Sequence, residues 1–212
     1  MFIFLPQKRL LYLVLSFSCF LLFGETPICN ANKGISPKEK EKILELVTLT
    51  DSVKKQEELT KYIKNANDNL KFMILPILSV TCVINKDYSS AERYAKKMLE
   101  LAKSMKDSWN YGNAVHDGNM VLGLIELNNK NLDKAKNFLI LAGKAPTSPQ
   151  IHVYGPNMLL ADSLLDYGEN DIVIEYLNQL KKVWSLNDGK LDSWIAAIKG
   201  GGKPYFGMNL LR

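Results

Sequence analysis

The sequence predicts an all-α protein made of antiparallel helix pairs. Three observations carry that reading. Apolar residues recur at helical intervals along residues 36–199. No stretch sustains the apolar–polar alternation of a strand between turn dipeptides. Two apolar runs follow a helix-start signature, a capping residue with an acidic residue three positions on.

The chain opens on a segment of another kind. Lys8 and Arg9 precede an apolar run from Leu10 to Phe23 that holds two serines, Ser16 and Ser18. That run has the length of a signal-peptide core and is short for a membrane span. Residues 1–31 are therefore expected to be a leader, cut after Ala31 or after Gly24. The protein would then be exported, periplasmic or secreted, with no stable membrane span left. Pro27 and Ile28 suit lipidation of Cys29 poorly, so a lipoprotein finds little support.

Removing the leader takes away Lys8, Arg9 and Glu25. The balance of 27 basic and 22 acidic residues becomes 25 against 21, a net charge of +4. Arginine occurs only at positions 9, 93 and 212. Bidentate recognition of phosphate or guanine favours Arg, so nucleic acid is not an expected partner. Cys82 would be the one cysteine remaining, and its neighbours Val80, Val83 and Ile84 predict burial.

The elements follow in order. Ser36-Pro37-Lys38-Glu39 combines a cap, a first-turn proline and a capping box. Ile43, Leu44, Leu46 and Val47 supply the first apolar face. Asp51-Ser52 starts a second helix, with Val53, Leu59, Tyr62 and Ile63 inward. These helices, 36–65, are expected to cap the front of the domain. Leu70 to Val83 is apolar but holds Pro76, which predicts a kink or a helix start there. Asp87 to Ser90 reads as a turn, with Ser89 and Glu92 at capping-box spacing. Helices are expected over 109–127, 132–141, 157–167, 172–183 and 192–199, with a linker at 145–149. The last of these would cap the far end, within 190–199. Gly200 to Pro204 is expected to end the order. The tail, 200–212, carries Tyr205, Phe206, Met208, Leu210 and Leu211, and either folds back or docks on a partner.

Three segments align at spacings of about 44 and 38 residues, starting at Leu75, Asn119 and Asn157. In the middle one, Leu122-Gly123 is followed by Ala135, Leu139 and Ala142. In the third, Leu160-Ala161 is followed by Val173, Leu177 and Leu180. In the first, Ser79 is followed by Ala91, Ala95 and Met98. This pattern resembles the tetratricopeptide repeat family, whose units pair two helices through small residues. Asn119 and Asn157 stand where that family has Trp, and the unit spacing exceeds its usual period. The resemblance implies a short right-handed stack of helix pairs, with repeats at about 70–106, 110–145 and 150–185. Small residues at Gly123 and Ala135 would let the paired helices cross closely.

Catalytic and metal chemistry are not expected. His116 and Asp117 are adjacent, so their side chains should diverge along a helix. His152 has no partner at ligand spacing. Ser163 lies in no nucleophile elbow, and Gly200 to Lys203 lacks the strand and the Ser or Thr of a phosphate loop. No cofactor or metal is expected. The resemblance places Asp117, Met120, Leu124, Asn128, Met158, Asp162 and Asp166 on a concave face. Asp162 and Asp166, four apart, share one helix face and suit a cationic or polar peptide. The expected function is an exported protein–protein interaction module, not an enzyme. The alternative is a small exported enzyme, or an accessory to one, using Asp162 and Asp166.

Overall fold

The computed structural model describes residues 36–210. The expected leader, 1–31, lies outside the described residues, as do Leu211 and Arg212. Within them the chain is all-α, with ten α-helices and no strand. These are α1 (Pro37–Val47), α2 (Ser52–Ile63), α3 (Asp68–Ile84), α4 (Tyr88–Ser104), α5 (Tyr111–Asn128), α6 (Leu132–Gly143), α7 (Pro149–Tyr154), α8 (Leu159–Asp166), α9 (Asn170–Leu180) and α10 (Lys190–Lys199). No described helix is long and apolar enough to cross a membrane.

Local chemistry explains where the helices begin. Ser36 caps α1 in a complete capping box, its N–H donating to Glu39 Oε2 at 2.7 Å. Asp51 accepts the N–H groups of Val53 and Lys54, and Asn67 accepts that of Leu70. The expected Ser89 start moves forward two residues. Asp87 is the cap of α4 and accepts the Ser90 N–H at 3.1 Å. The turn therefore lies at 85–87, because Asp87 reaches a backbone donor one turn into the helix.

Three hairpins, α3–α4, α5–α6 and α8–α9, turn in the same way. The second residue after each first helix has positive φ: Lys86 at 60°, Lys130 at 62° and Gly168 at 76°. The next N–H reaches back to close the helix end, from Asp87 to Cys82, Asn131 to Glu126 and Glu169 to Leu164. Such left-handed closure satisfies terminal carbonyls in a three-residue connection. Aligned positions are buried across the hairpins. Ser79, Gly123 and Ala161 have no exposed face, nor do Ala91, Ala135 and Val173. Neighbouring hairpins touch: α5 packs on α3 and α8, and α9 packs on α6.

Pro76 does not end α3, which runs unbroken through it. A helical proline leaves the carbonyl four residues earlier without its donor. Here that carbonyl belongs to Phe72, and the Asn110 side-chain amide donates to it at 2.8 Å. Burial of Phe72, Ile74, Leu75 and Leu78 further offsets the unfavourable residue.

The expected crossing at Gly123 also differs. A Cβ built on Gly123 would lie 2.3 Å from Leu160 Cδ2 and 3.1 Å from Phe138 Cβ. The closest approach is to α8 of the next hairpin, with α6 second. Gly112 is tighter still against backbone: its Cβ would lie 2.2 Å from the Pro146 carbonyl oxygen. The expected linker contains a short helix, α7, capped by Ser148. Cys82 is fully buried in the core, and burial, with the nearby Asp87 charge, pushes its thiol up to about 12. It is the one cysteine among the described residues and is inert at neutral pH.

Candidate functional site

The seven residues expected on one concave face separate into three groups. Met120 and Met158 are fully buried and offer no surface to a partner. Each belongs to the hydrophobic core. Leu124 is half-buried, and Asn128 is exposed at the end of α5. Asp117, Asp162 and Asp166 keep access to solvent.

Asp117 does not diverge from His116. Its Oδ1 lies 2.9 Å from His116 Nδ1, although the residues are adjacent on α5. His116 Nε2 lies 2.8 Å from the hydroxyl of Tyr176 on α9. A carboxylate accepts, so Nδ1 carries a proton, and in the neutral ring Nε2 then accepts from the tyrosine. Burial, then the Asp117 charge, pushes the Tyr176 phenol well above its usual value. Tyr176 and His116 are both buried, so neither can meet a substrate. The relay is a clasp between α5 and α9.

Asp162 and Asp166 share one side of α8, as expected, and the structure brings a third group to them. Lys203 Nζ lies 3.1 Å from Asp162 Oδ1 and 2.7 Å from Asp166 Oδ1. Two like charges at this spacing repel, and Asp166 stands at the negative end of the helix dipole. A cation answers both problems at once. Burial tends to lower the Lys203 ammonium, but the bonds from Asp166 and Asp162 outweigh it and raise its pKa. With Lys203 over a third exposed, solvent screening keeps the pair to about 0–1 kcal/mol.

The tail brings the lysine there. It does not lose order at Gly200 to Pro204. Pro204 is buried, and Phe206 sits edge-on to Trp194 with ring centroids 4.9 Å apart. Trp194 in turn meets Trp184 at 5.7 Å. Asn209 donates to the carbonyls of Tyr154 and Pro156 and accepts the Met158 N–H at 2.7 Å. Tyr205, between the anchors, is 83% exposed. Sequence reasoning missed Lys203 because 37 residues separate it from Asp166. The only local signal was a lysine after three glycines.

Among the described residues no group of three or more His, Cys, Asp or Glu side chains could hold a metal ion. Two shallow surface hollows, of about 450 and 520 Å³, lie over α4 and between α6 and α9. Neither contains the acidic pair. Fold and site together define an all-helical protein of consecutive hairpins with a cation-holding pair on its surface. No protein-family model and no solved structure matches the chain.

Proposed function

We propose that this chain is an exported, tetratricopeptide-like helical repeat protein that binds a basic segment of a protein partner, without catalysis. The carrying observation is the Lys203 ammonium seated on Asp162 and Asp166. The pair holds a lysine side chain in place, which is the chemistry a basic peptide would offer. Three hairpins with one turn geometry and matching buried positions support the repeat reading. In such a stack the first helices, α3, α5 and α8, would line the binding face, with Asp162 and Asp166 toward one end.

The test is capture of partners from the exported fraction by wild-type protein and by Asp162→Asn/Asp166→Asn. A partner that elutes with moderate salt and is lost with the double variant supports the reading. A partner retained equally by both variants places the binding face elsewhere. For export, N-terminal sequencing of the mature protein decides: a start at Asn32 fits cleavage after Ala31, and an intact Met1 rejects the leader.

A further inference from the structure

We infer that the corner formed by α7, the loop after α9 and the C-terminal tail docks on an anionic lipid surface. This contact lies apart from the acidic pair and needs neither of its residues.

Eight large apolar side chains are exposed among the described residues, and four of them belong to this corner: Val153, Leu186, Tyr205 and Met208. The backbone around 152–156 gathers them. The Leu186 N–H donates to the His152 carbonyl at 3.2 Å, which sets Leu186, 52% exposed, beside the end of α7 that carries Val153. Asn209 donates to the carbonyls of Tyr154 and Pro156, which sets Met208 beside the same stretch. The Tyr205 ring lies near Gly207, next to Met208: a Cβ built on Gly207 would be 3.6 Å from Tyr205 Cε1. Three segments distant in sequence thus bring unburied apolar groups together, whereas ordinary exposed apolar residues are scattered singly.

Charge favours a lipid occupant. Residues 149–180 hold no lysine or arginine, whereas 181–210 hold five lysines against Asp188 and Asp192. Lys181 pairs with Asp192, and Lys203 with Asp162 and Asp166. Lys182 and Lys190 make no ion pair among the described residues, and they stand at the two ends of the loop that carries Leu186. Lys190 Nζ lies 5.6 Å from the centroid of the Trp184 ring, and that ring packs against Gly155. Lysine stems lie along an apolar boundary while the ammonium groups reach anionic headgroups, and tyrosine keeps its hydroxyl in water above a buried ring. Neither surface hollow includes any of these six residues. Apolar groups that stand out from loops, instead of lining a cleft, suit a fluid layer, whereas an acidic protein would need a surface shaped to receive them. Four side chains and two cations give a peripheral, reversible attachment.

The test places fluorescent reporters in the full-length chain: Tyr205→Trp and Leu186→Trp at the corner, with Tyr167→Trp, at an exposed position just after α8, as the control. Local reporters are needed because the apolar run 10–23 can itself bring the chain to lipid. Each variant is titrated with vesicles of phosphatidylcholine, alone or mixed with phosphatidylglycerol. Difference emission against wild type should move to the blue at 186 and 205 on the mixed vesicles, and stay unchanged at 167. In the Tyr205→Trp chain, adding Leu186→Ser/Met208→Ser should raise the lipid needed for half the shift about tenfold. Adding Lys182→Gln/Lys190→Gln should do so about tenfold as well, on the mixed vesicles alone. Circular dichroism on each variant checks that the helices are intact. No shift at 186 and 205, whether or not the chain sediments with vesicles, overturns the lipid surface. An equal shift at 167 and 205 overturns the assignment to this corner. No shift on vesicles, with a shift on oligoglutamate that the lysine substitutions abolish, overturns the lipid occupant in favour of an acidic protein.

Discussion

The side-chain amide of Asn110, at the entrance to α5, donates to the carbonyl of Phe72 in the middle of α3, at 2.8 Å. That carbonyl is free because Pro76, four residues on, has no N–H to give it. A proline in one helix thus creates the acceptor by which a later helix is attached. Asn110→Ala would leave the Phe72 carbonyl buried and unsatisfied, at about 1–3 kcal/mol. In a Pro76→Ala background the new N–H can bond Phe72 itself. Asn110→Ala should then be milder by about 1 kcal/mol, a coupling that a urea-denaturation double-mutant cycle reads directly. Additive effects would mean that the bond does not answer the proline.

The two tight glycines of α5 predict a ranking. A Cβ on Gly123 meets chiefly the Leu160 side chain, which can shift in part. A Cβ on Gly112 meets the carbonyl oxygens of Pro146 and Thr147, fixed by the chain. Alanine favours a helix over glycine by about 1 kcal/mol, which offsets some of the overpacking. Gly123→Ala should therefore destabilise by roughly 1 kcal/mol, and Gly112→Ala by about 2 kcal/mol or more. Equal denaturation midpoints for the two variants would contradict the packing described.

Tyr176→Phe removes the hydroxyl that bonds His116 Nε2 and leaves that nitrogen buried without a donor. The expected loss is about 1–3 kcal/mol. Replacing both partners, as His116→Leu with Tyr176→Phe, should recover part of it, because no orphaned polar atom remains. Thermal melts of the single and double variants make the comparison. A double variant less stable than the sum of its singles would show that shape, not hydrogen bonding, holds this contact.

What could be read from residues alone was the local and the periodic. Ser36, Pro37 and Glu39 announce α1 because capping involves neighbours three positions apart. Ala91, Ala135 and Val173 are buried where the alignment puts them, since a helical face repeats along the sequence. Asn110 with Phe72, and Lys203 with Asp162, join residues more than 35 positions apart, and no spacing rule connects them. The divergence expected of His116 and Asp117 failed for another reason. Neighbours on a helix point about 100° apart at Cβ, but a carboxylate on two rotatable bonds still reaches the near nitrogen of an imidazole. The repeat resemblance puts Met120 and Met158 on an open face, but a resemblance identifies a face without saying what covers it, and both are buried.

The tail supplies the sharpest contrast between anchoring and recognition. Phe206 is almost fully buried beneath the Trp194 ring, so Phe206→Ala removes a core aromatic and leaves a cavity, at about 3–5 kcal/mol. Lys203→Gln breaks only a screened ion pair and should cost about 0–1 kcal/mol. Limited proteolysis followed by mass spectrometry separates the two effects. Phe206→Ala should expose the segment around Tyr205 to chymotrypsin far faster than wild type, while Lys203→Gln should be cut at the wild-type rate. If Lys203→Gln were cut as fast as Phe206→Ala, the lysine would be the tail's anchor. It could not then leave Asp162 and Asp166 without undocking everything that follows it.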